Sequence, residues 1–464
     1  RVSMLRKTST AGKRPRRVGS VRLLAAAGLA PACVFLGFTA PAVATPGLGT
    51  AQGGHGSGYQ VSPVTEVSTC GGYNAEVEQA TAKPHYVYEA WIGCGGEGFA
   101  RSTDGGLHFS KPIMLPDSMS SNSTSTDDPA VAVAPNGTLY VSWIRYTKNH
   151  AFPQVATSFD HGATFPRVRS LIPKKVGNWA DRDFIAAGRD GRVYLTWDYG
   201  PSIADVKVVC SPVGSCAYKN VDATAVVQTS TDSGKTWGPI TTMQPGFPAG
   251  GGYDGSVLVQ PNGRIDALIL GHHLNPTTFA VHPGHEFFTS SFGGQKWSPL
   301  AEVGPSAGSI AIPTWWIDGD LSMDNGGNLY ATWDTQTAHG DIGWLSFSIN
   351  HGQTWSAPLR VTPDHDSAVH NVEVVGTFAG KAVVAWQADN SPQGYATYLR
   401  PFSITRGWLA PVLQVSRQFG NVNDWPGDTF GLSAFSANRV VLSWGSAVGT
   451  SQNSEIYESV VRLP

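Results

Sequence analysis

Charge is the scarcest ingredient of this 464-residue chain: Asp, Glu, Lys and Arg together make up 14% of it, against about 25% in ordinary soluble domains. Cysteine and methionine are rarer still, with five of each. No metal-ligand spacing of Cys or His stands out, and no resident metal is assigned from the sequence. Beyond residue 44 there is no stretch of 18 or more apolar residues, so nothing there is expected to span a bilayer as a helix. Basic residues are unevenly placed. Eight of the 32 Lys and Arg fall within residues 1–22, where there is no acid. Setting residues 1–44 aside leaves 24 basic against 34 acidic side chains, a balance of −10, which argues against nucleic acid and anionic membranes as partners.

The basic stretch is followed by an Ala-rich apolar run from Leu23 that ends in Ala42-Val43-Ala44. That order of basic, apolar and small residues reads as an export signal over residues 1–44. General secretion and, through Arg16-Arg17, twin-arginine export both fit it, and either places the mature chain outside the cell. A Gly-rich linker over residues 45–58 leads into one domain over residues 59–464, expected to be a monomer. Four cysteines remain, which suits disulfides in an exported chain. Of three pairings, Cys70–Cys94 and Cys210–Cys216 each close a short loop.

What the chain has in abundance is repetition. Ser102-Thr-Asp104-Gly-Gly106-Leu-His-Phe109 recurs as Ser158-Phe-Asp160-His-Gly162-Ala-Thr-Phe165 and Ser230-Thr-Asp232-Ser-Gly234-Lys-Thr-Trp237. Weaker copies begin at Ser290, with Phe292 at the acid's place, at Ser348, with Asn350 there, and at Ser403; successive copies are 56, 72, 60, 58 and 55 residues apart. Upstream of each lies a β-branched and aromatic run entered from a Gly or Asn turn: "GTLYVSW" (137–143), "GRVYLTW" (191–197), "GNLYATW" (327–333), "GKAVVAW" (380–386) and "NRVVLSW" (438–444). "HYVYEAW" (85–91) and "GRIDALIL" (263–270) bring the number to seven. Strand, tight turn, strand, loop, strand, Ser-x-Asp-x-Gly turn and strand make a four-stranded antiparallel sheet every 50–70 residues, the size of a β-propeller blade. The expected fold is all-β with seven blades, six being the alternative. The last unit supplies only three strands, and residues 59–68 are expected to complete it against residues 455–463.

A motif that recurs and tolerates loss of its acid serves the fold. Ser and Asp bond to backbone in a tight turn, Gly takes positive φ and the ring packs beneath, so Asp104, Asp160, Asp232 and Asn350 are read as structural. The tryptophans that recur once per unit are read as packing between blades.

These octapeptides resemble the Asp-box (BNR) repeat of the sialidase superfamily, over nearly all of residues 60–464. The resemblance implies that the Asp-box turns join third and fourth strands on the face away from the site. Chemistry would then sit where inner strands start and second strands end. Starts of inner strands carry Asn74 and Glu76, Asp127-Asp128, "NWADRDF" with Asp181, Arg182 and Asp183, Tyr253-Asp254, Asp318 and Asp320, His370 and Glu373, and "DWPGD" with Asp424, Trp425 and Asp428. Ends of second strands add Arg145, Tyr146, Asp198, Tyr199, His272, His273, Asp334, Gln387 and Asp389. In a chain so poor in charge, an acid at nearly every inner-strand start marks a funnel, although a single such acid can equally cap a turn or hold a structural calcium in the axial channel.

The resemblance further implies three arginines, a Tyr nucleophile helped by Glu and an early Arg-Ile-Pro. This sequence has no Arg-Ile-Pro and offers Arg182, with Arg145 and Arg417 as companions. A glycoside hydrolase on an extracellular glycan is the leading expectation. Asp181, Asp183, Asp254, Asp320, Tyr253 and His272 are its candidate catalytic groups, and Arg182, Arg145, Asp128, Tyr199, Asp318, His370, Glu373, Trp425 and Asp428 its candidate substrate contacts. Two alternatives stand beside it: a propeller that binds glycan or protein without cleaving it, and a polysaccharide lyase using His272 or His370 with Tyr. Plain alternation would aim Asp181 and Asp183 one way and Arg182 the other.

Overall fold

The computed structural model describes residues 58–121, 123–174, 177–200, 207–210, 216–219, 224–243, 253–274, 281–305, 319–337, 340–363, 368–389, 394–420, 427, 429–448 and 453–464. The export signal and most of the linker expected from the sequence lie outside them. Seven antiparallel sheets form the blades of a β-propeller, each a meander from an inner to an outer strand, and among the described residues there is no helix. The inner strands are Ala75–Ala82, Ser123–Val133, Trp179–Ala187, Tyr253–Val259, Asp320–Met323, Ala368–Gly376 and Gly431–Ser436. Each touches the inner strands of both flanking blades, so the ring is complete.

The second strands carry the repeated aromatic run, and their side chains are the cement between blades. Trp91, Trp143, Trp197, Trp333 and Trp386 are fully buried, and Trp444 nearly so. Trp143 packs with Leu139 and Val141 of its own blade and with Tyr88, Ala90 and Phe99 of the preceding one, the packing role read from their recurrence. The blade of "GRIDALIL" fills the same place with Ile269.

The recurring octapeptide folds into one network four times. The hydroxyl of Ser102, Ser158, Ser230 or Ser348 donates to the acid or amide two residues on, at 2.8–2.9 Å, and accepts the N–H of the Gly four residues on, at 2.8–2.9 Å. The Thr164 hydroxyl and N–H hold the Asp160 carboxyl down to about 2, and those of Thr236 do the same for Asp232. Asn350 keeps the pattern with an amide: Oδ1 accepts the Thr354 N–H at 3.0 Å and Nδ2 donates to Thr354 Oγ1 at 2.8 Å. A charge is therefore dispensable, which explains how the repeat survives its loss. The fourth copy differs from the sequence reading. Ser291, not Ser290, sits opposite Ile265 as Ser230 sits opposite Val193, so this turn is one residue shorter and Phe292 does not stand in for the acid. Trp237 is only half-buried, so it braces the turn from the edge.

The seventh blade consists of Gly431–Ser436, Arg439–Ser446 and Glu455–Arg462, with Gln60–Val61 and Thr65–Glu66 outermost. Gln60 faces Arg462 and Thr65 faces Glu458. Side chains lock the seam as well: Glu455 Oε2 accepts from the Ser68 hydroxyl at 2.6 Å and from Asn74 Nδ2 at 2.9 Å. The Cys70–Cys94 disulfide ties the entering chain to the first blade. Cys210 lies opposite Cys216 in the register of a hairpin inserted in the third blade, but their side chains fall outside the described residues.

Between the seventh and first blades lies a pair of buried acids. Gln79 Nε2 donates to Glu89 Oε1 at 3.0 Å and to Glu458 Oε2 at 3.4 Å, and both glutamates are fully buried. Burial, followed by the charge of its partner Glu89, pushes Glu458 well above the ordinary range. The folded chain thus keeps a proton that the unfolded chain releases near pH 4.5, so the pair's contribution to stability shrinks as pH rises from there towards the folded value. Glu458→Gln should accordingly raise stability at neutral pH, by about 1–3 kcal/mol, and flatten the difference between melts at pH 5 and pH 8. Equal or steeper pH dependence in the variant would contradict this account.

Candidate functional site

The inner strands do not run straight at their starts. Register slips between Ala75 and Glu78, Asp127 and Ala130, Asp181 and Phe184, Asp254 and Val257, and His370 and Glu373 mark a β-bulge at one level in five blades. Four of these bulges hold a non-glycine residue in the left-handed region: Glu76 (φ 52°), Asp128 (φ 51°), Arg182 (φ 51°) and Asn371 (φ 53°). Such residues are strained, and bulges of this kind re-aim side chains beside functional sites. The plain alternation expected for Asp181, Arg182 and Asp183 is therefore broken: Asp181 and Arg182 are half-buried, and Asp183 is 3% exposed.

The bulges of the first three blades gather acids. Oxygens of Glu76, Asp127 and Asp128 lie within 4.8 Å of one another. Asp128 Oδ2 also accepts the Arg182 N–H at 2.9 Å, bridging the second and third blades. Tyr146 Oη donates to the Ala180 carbonyl at 3.0 Å and stands 3.4 Å from Asp181 Oδ1. Burial first, then the charge of Asp128, drives the Asp181 carboxyl well above the ordinary range, with the Arg182 guanidinium opposing. Asp183 is raised chiefly by burial, which the Ser142 hydroxyl only partly offsets.

The sequence reading missed Glu97, from the third strand of the first blade. It is fully buried, and burial, opposed by the Thr126 side chain and reinforced by the charges of Asp127, Asp183 and Asp128, raises it well above the ordinary range. A lone acid between two glycines of a strand, in "CGGEGF", was the available signal.

Other candidates have structural work. Asp320 accepts the Leu321 N–H at 2.8 Å and the Val374 N–H of the next blade at 2.7 Å, the same bridge between blades that Asp128 makes. Glu373 lies beside it. Arg145 is buried, with Nε donating to Ser123 Oγ at 2.8 Å, Nη1 to the Asp117 carbonyl at 3.3 Å and Nη2 to Ser120 Oγ, so it fastens a loop. Arg417 reaches the Ser62 carbonyl at 3.5 Å, at the seam. Tyr199 is half-buried at the end of its strand. The backbones of Tyr253, Asp254, His272 and His370 lie in strands, but their side chains, and Asp318, Asp424, Trp425 and Asp428 altogether, fall outside the described residues.

No family model matches this chain, and none of the curated proteins does. Among solved structures, a protein of unknown function from Dyadobacter fermentans is similar at 14% identity over 88% of this chain and 100% of its own, with a TM-score of 0.54. The Hadza microbial sialidase Hz136 matches at 11% identity over 80% of this chain and 76% of its own, with a TM-score of 0.46. The GH93 α-L-arabinofuranosidase of Fusarium graminearum matches at 12% identity over 87% and 98%, with a TM-score of 0.48. At these identities the likeness is one of fold, and the chain takes its place among β-propellers.

Proposed function

We propose that this chain is an exported, Asp-box propeller of sialidase-like type that hydrolyses an extracellular glycan over the inner-strand starts of the first three blades. The observation that carries the reading is the convergence there of carboxyl groups from three successive blades, with Asp183 and Glu97 buried and raised well above the carboxylate range chiefly by that burial. Buried, strongly shifted acids are costly and concentrate at functional sites. The four identical turn networks at the other end of the strands support the Asp-box part. Asp183, whose carboxyl burial raises well above the ordinary range, donates its proton to the glycosidic oxygen as the C–O bond breaks. Asp181, the second carboxyl, either bonds to the anomeric carbon for water to displace later or takes a proton from the water that attacks it, and Arg182 contacts sugar hydroxyls. With a sugar bound, a carboxyl separation of about 5–5.5 Å would give retention and about 6.5–9.5 Å inversion.

A second reading, a propeller that binds glycan without cleaving it, draws support from Asp128 and Asp320, whose oxygens bridge blades through backbone N–H groups. Incubating the purified chain with aryl glycosides and with plant, microbial and host polysaccharides separates the two. New reducing ends support hydrolysis. Glycan-array binding without release favours the second reading, and neither binding nor release overturns both.

A further inference from the structure

We propose that the face bearing the Asp-box turns docks on an anionic lipid bilayer, with apolar turn tips entering the interface and Lys and Arg beside them meeting the headgroups. The proposal goes beyond glycan hydrolysis and holds whether or not the funnel at the other end of the strands cleaves anything.

In a ring of meanders, the turns joining first to second and third to fourth strands all fall at one end of the sheets. Nine large apolar side chains are exposed among the described residues, and five of them stand at that end: Leu107, Phe159, Phe292, Ile349 and Phe378. They come from five different blades, and Phe292 and Ile349, 68% and 70% exposed, are the barest of the nine. Charge is sorted in the same way. The turns at this end expose Lys83, Arg189, Arg192, Lys235, Lys296, Lys381 and Arg406, against four acids, Asp104, Asp160, Asp190 and Asp232. Three of those acids bond to groups of their own turns. The balance beyond residue 44 is −10, yet this face carries an excess of positive charge. The net charge that speaks against an anionic surface for the whole chain therefore does not describe this side of it.

The face is built before any partner arrives. Arg101 Nη1 donates to the His161 carbonyl at 2.7 Å, Arg167 Nη1 to that of Ser233 at 2.7 Å, Arg264 Nη2 to that of His351 at 3.1 Å and Arg439 Nη2 to that of Gly105 at 2.9 Å. Each bond ties the Asp-box turn of one blade to its neighbour, so little ordering remains to be done on docking. The Arg167 guanidinium also lies 5.0 Å from the Phe159 ring centre, which presents a cation and an apolar ring together.

Shape and charge choose the occupant. Separate apolar tips projecting from a ring suit a yielding bilayer interface, where rings and branched chains leave water while basic groups stay among the headgroups. A protein partner would need a pocket for every tip. A second copy docking face to face would set two basic faces against each other. A soluble polyanion would neutralise the cations but leave Phe292 and Ile349 in water. Because the strands run from one face to the other, a propeller docked this way turns its inner-strand starts away from the bilayer.

The test mixes the purified chain with vesicles of phosphatidylcholine alone, or of phosphatidylcholine and phosphatidylglycerol in equal parts, and measures the bound fraction by flotation. Binding should saturate on the anionic vesicles, be weak on the neutral ones and fall between about 0.1 M and about 1 M salt, as the screening length drops from about 10 to about 3 Å. Lys296→Ala and Lys381→Ala should each weaken binding about fivefold. Phe292→Ser combined with Ile349→Ser should weaken it about tenfold or more. All of these side chains are exposed, so the variants should melt with the parent, and should one fail to fold, the others decide. Equal binding to both vesicles would overturn the proposal, as would binding that survives either kind of substitution. No binding to either vesicle would also overturn it, and polyphosphate binding or self-association of the chain in that case would assign the face to a polyanion or to a second copy.

Discussion

Asp183→Asn is expected to lose turnover by about 10²–10⁴-fold on whichever glycoside the parent cleaves, the range that a positioned general acid supplies. Asn is nearly isosteric with Asp but has no proton to give to a leaving oxygen. The parent carboxyl is buried between the second and third blades, and burial raises it well above the carboxylate range. The folded chain therefore retains a proton after the unfolded chain has released it, and stability drains away as pH climbs from about 3.8 towards the folded value. Replacing the acid by a neutral amide removes that cost, so the variant should melt at or above the parent temperature at neutral pH. Activity of the parent should fall on the alkaline side as the proton leaves, and that limb should be missing from the residual rate of the variant. Loss of activity with a lowered melting temperature would indicate a structural acid, and full activity would remove Asp183 from the chemistry.

Deleting residues 455–464 should abolish the cooperative thermal transition of the whole propeller. Ile456 and Val461 are fully buried in the core shared by the seventh and first blades, and Val460 and Leu463 are nearly so. The same strand pairs with Arg439–Ser446 on one side and with Gln60–Val61 and Thr65–Glu66 on the other. Its loss would free the amino-terminal strands and open the sheet edges that the ring conceals. A milder probe is Ile456→Ala, expected to cost about 2–5 kcal/mol by denaturant unfolding. A truncated chain that still melts cooperatively near the parent temperature would mean that the blades are independently stable.

The architecture was legible because it repeats. A β-branched or aromatic second strand in each of seven units, a recurring Ser-x-Asp-type turn in most of them and a short final unit were enough to count seven blades, and two short loops were enough to choose Cys70–Cys94, since local turn chemistry and strand alternation need only near neighbours in sequence. The one-residue shortening of the fourth turn escaped, because sliding a motif by one position changes nothing in composition and becomes visible only in register.

The site was legible by residue type and not by role. The sequence by itself determined the fold class, the seven-fold repetition and the enrichment of acids at inner-strand starts, all consequences of short-range periodicity. Only the tertiary structure decided that Asp128 and Asp320 bridge blades, that Arg145 fastens a loop, that bulges break the alternation of "NWADRDF" and that Glu97 joins the acids from another strand. Each of those depends on which groups come together across a blade interface, and on how much water that interface excludes.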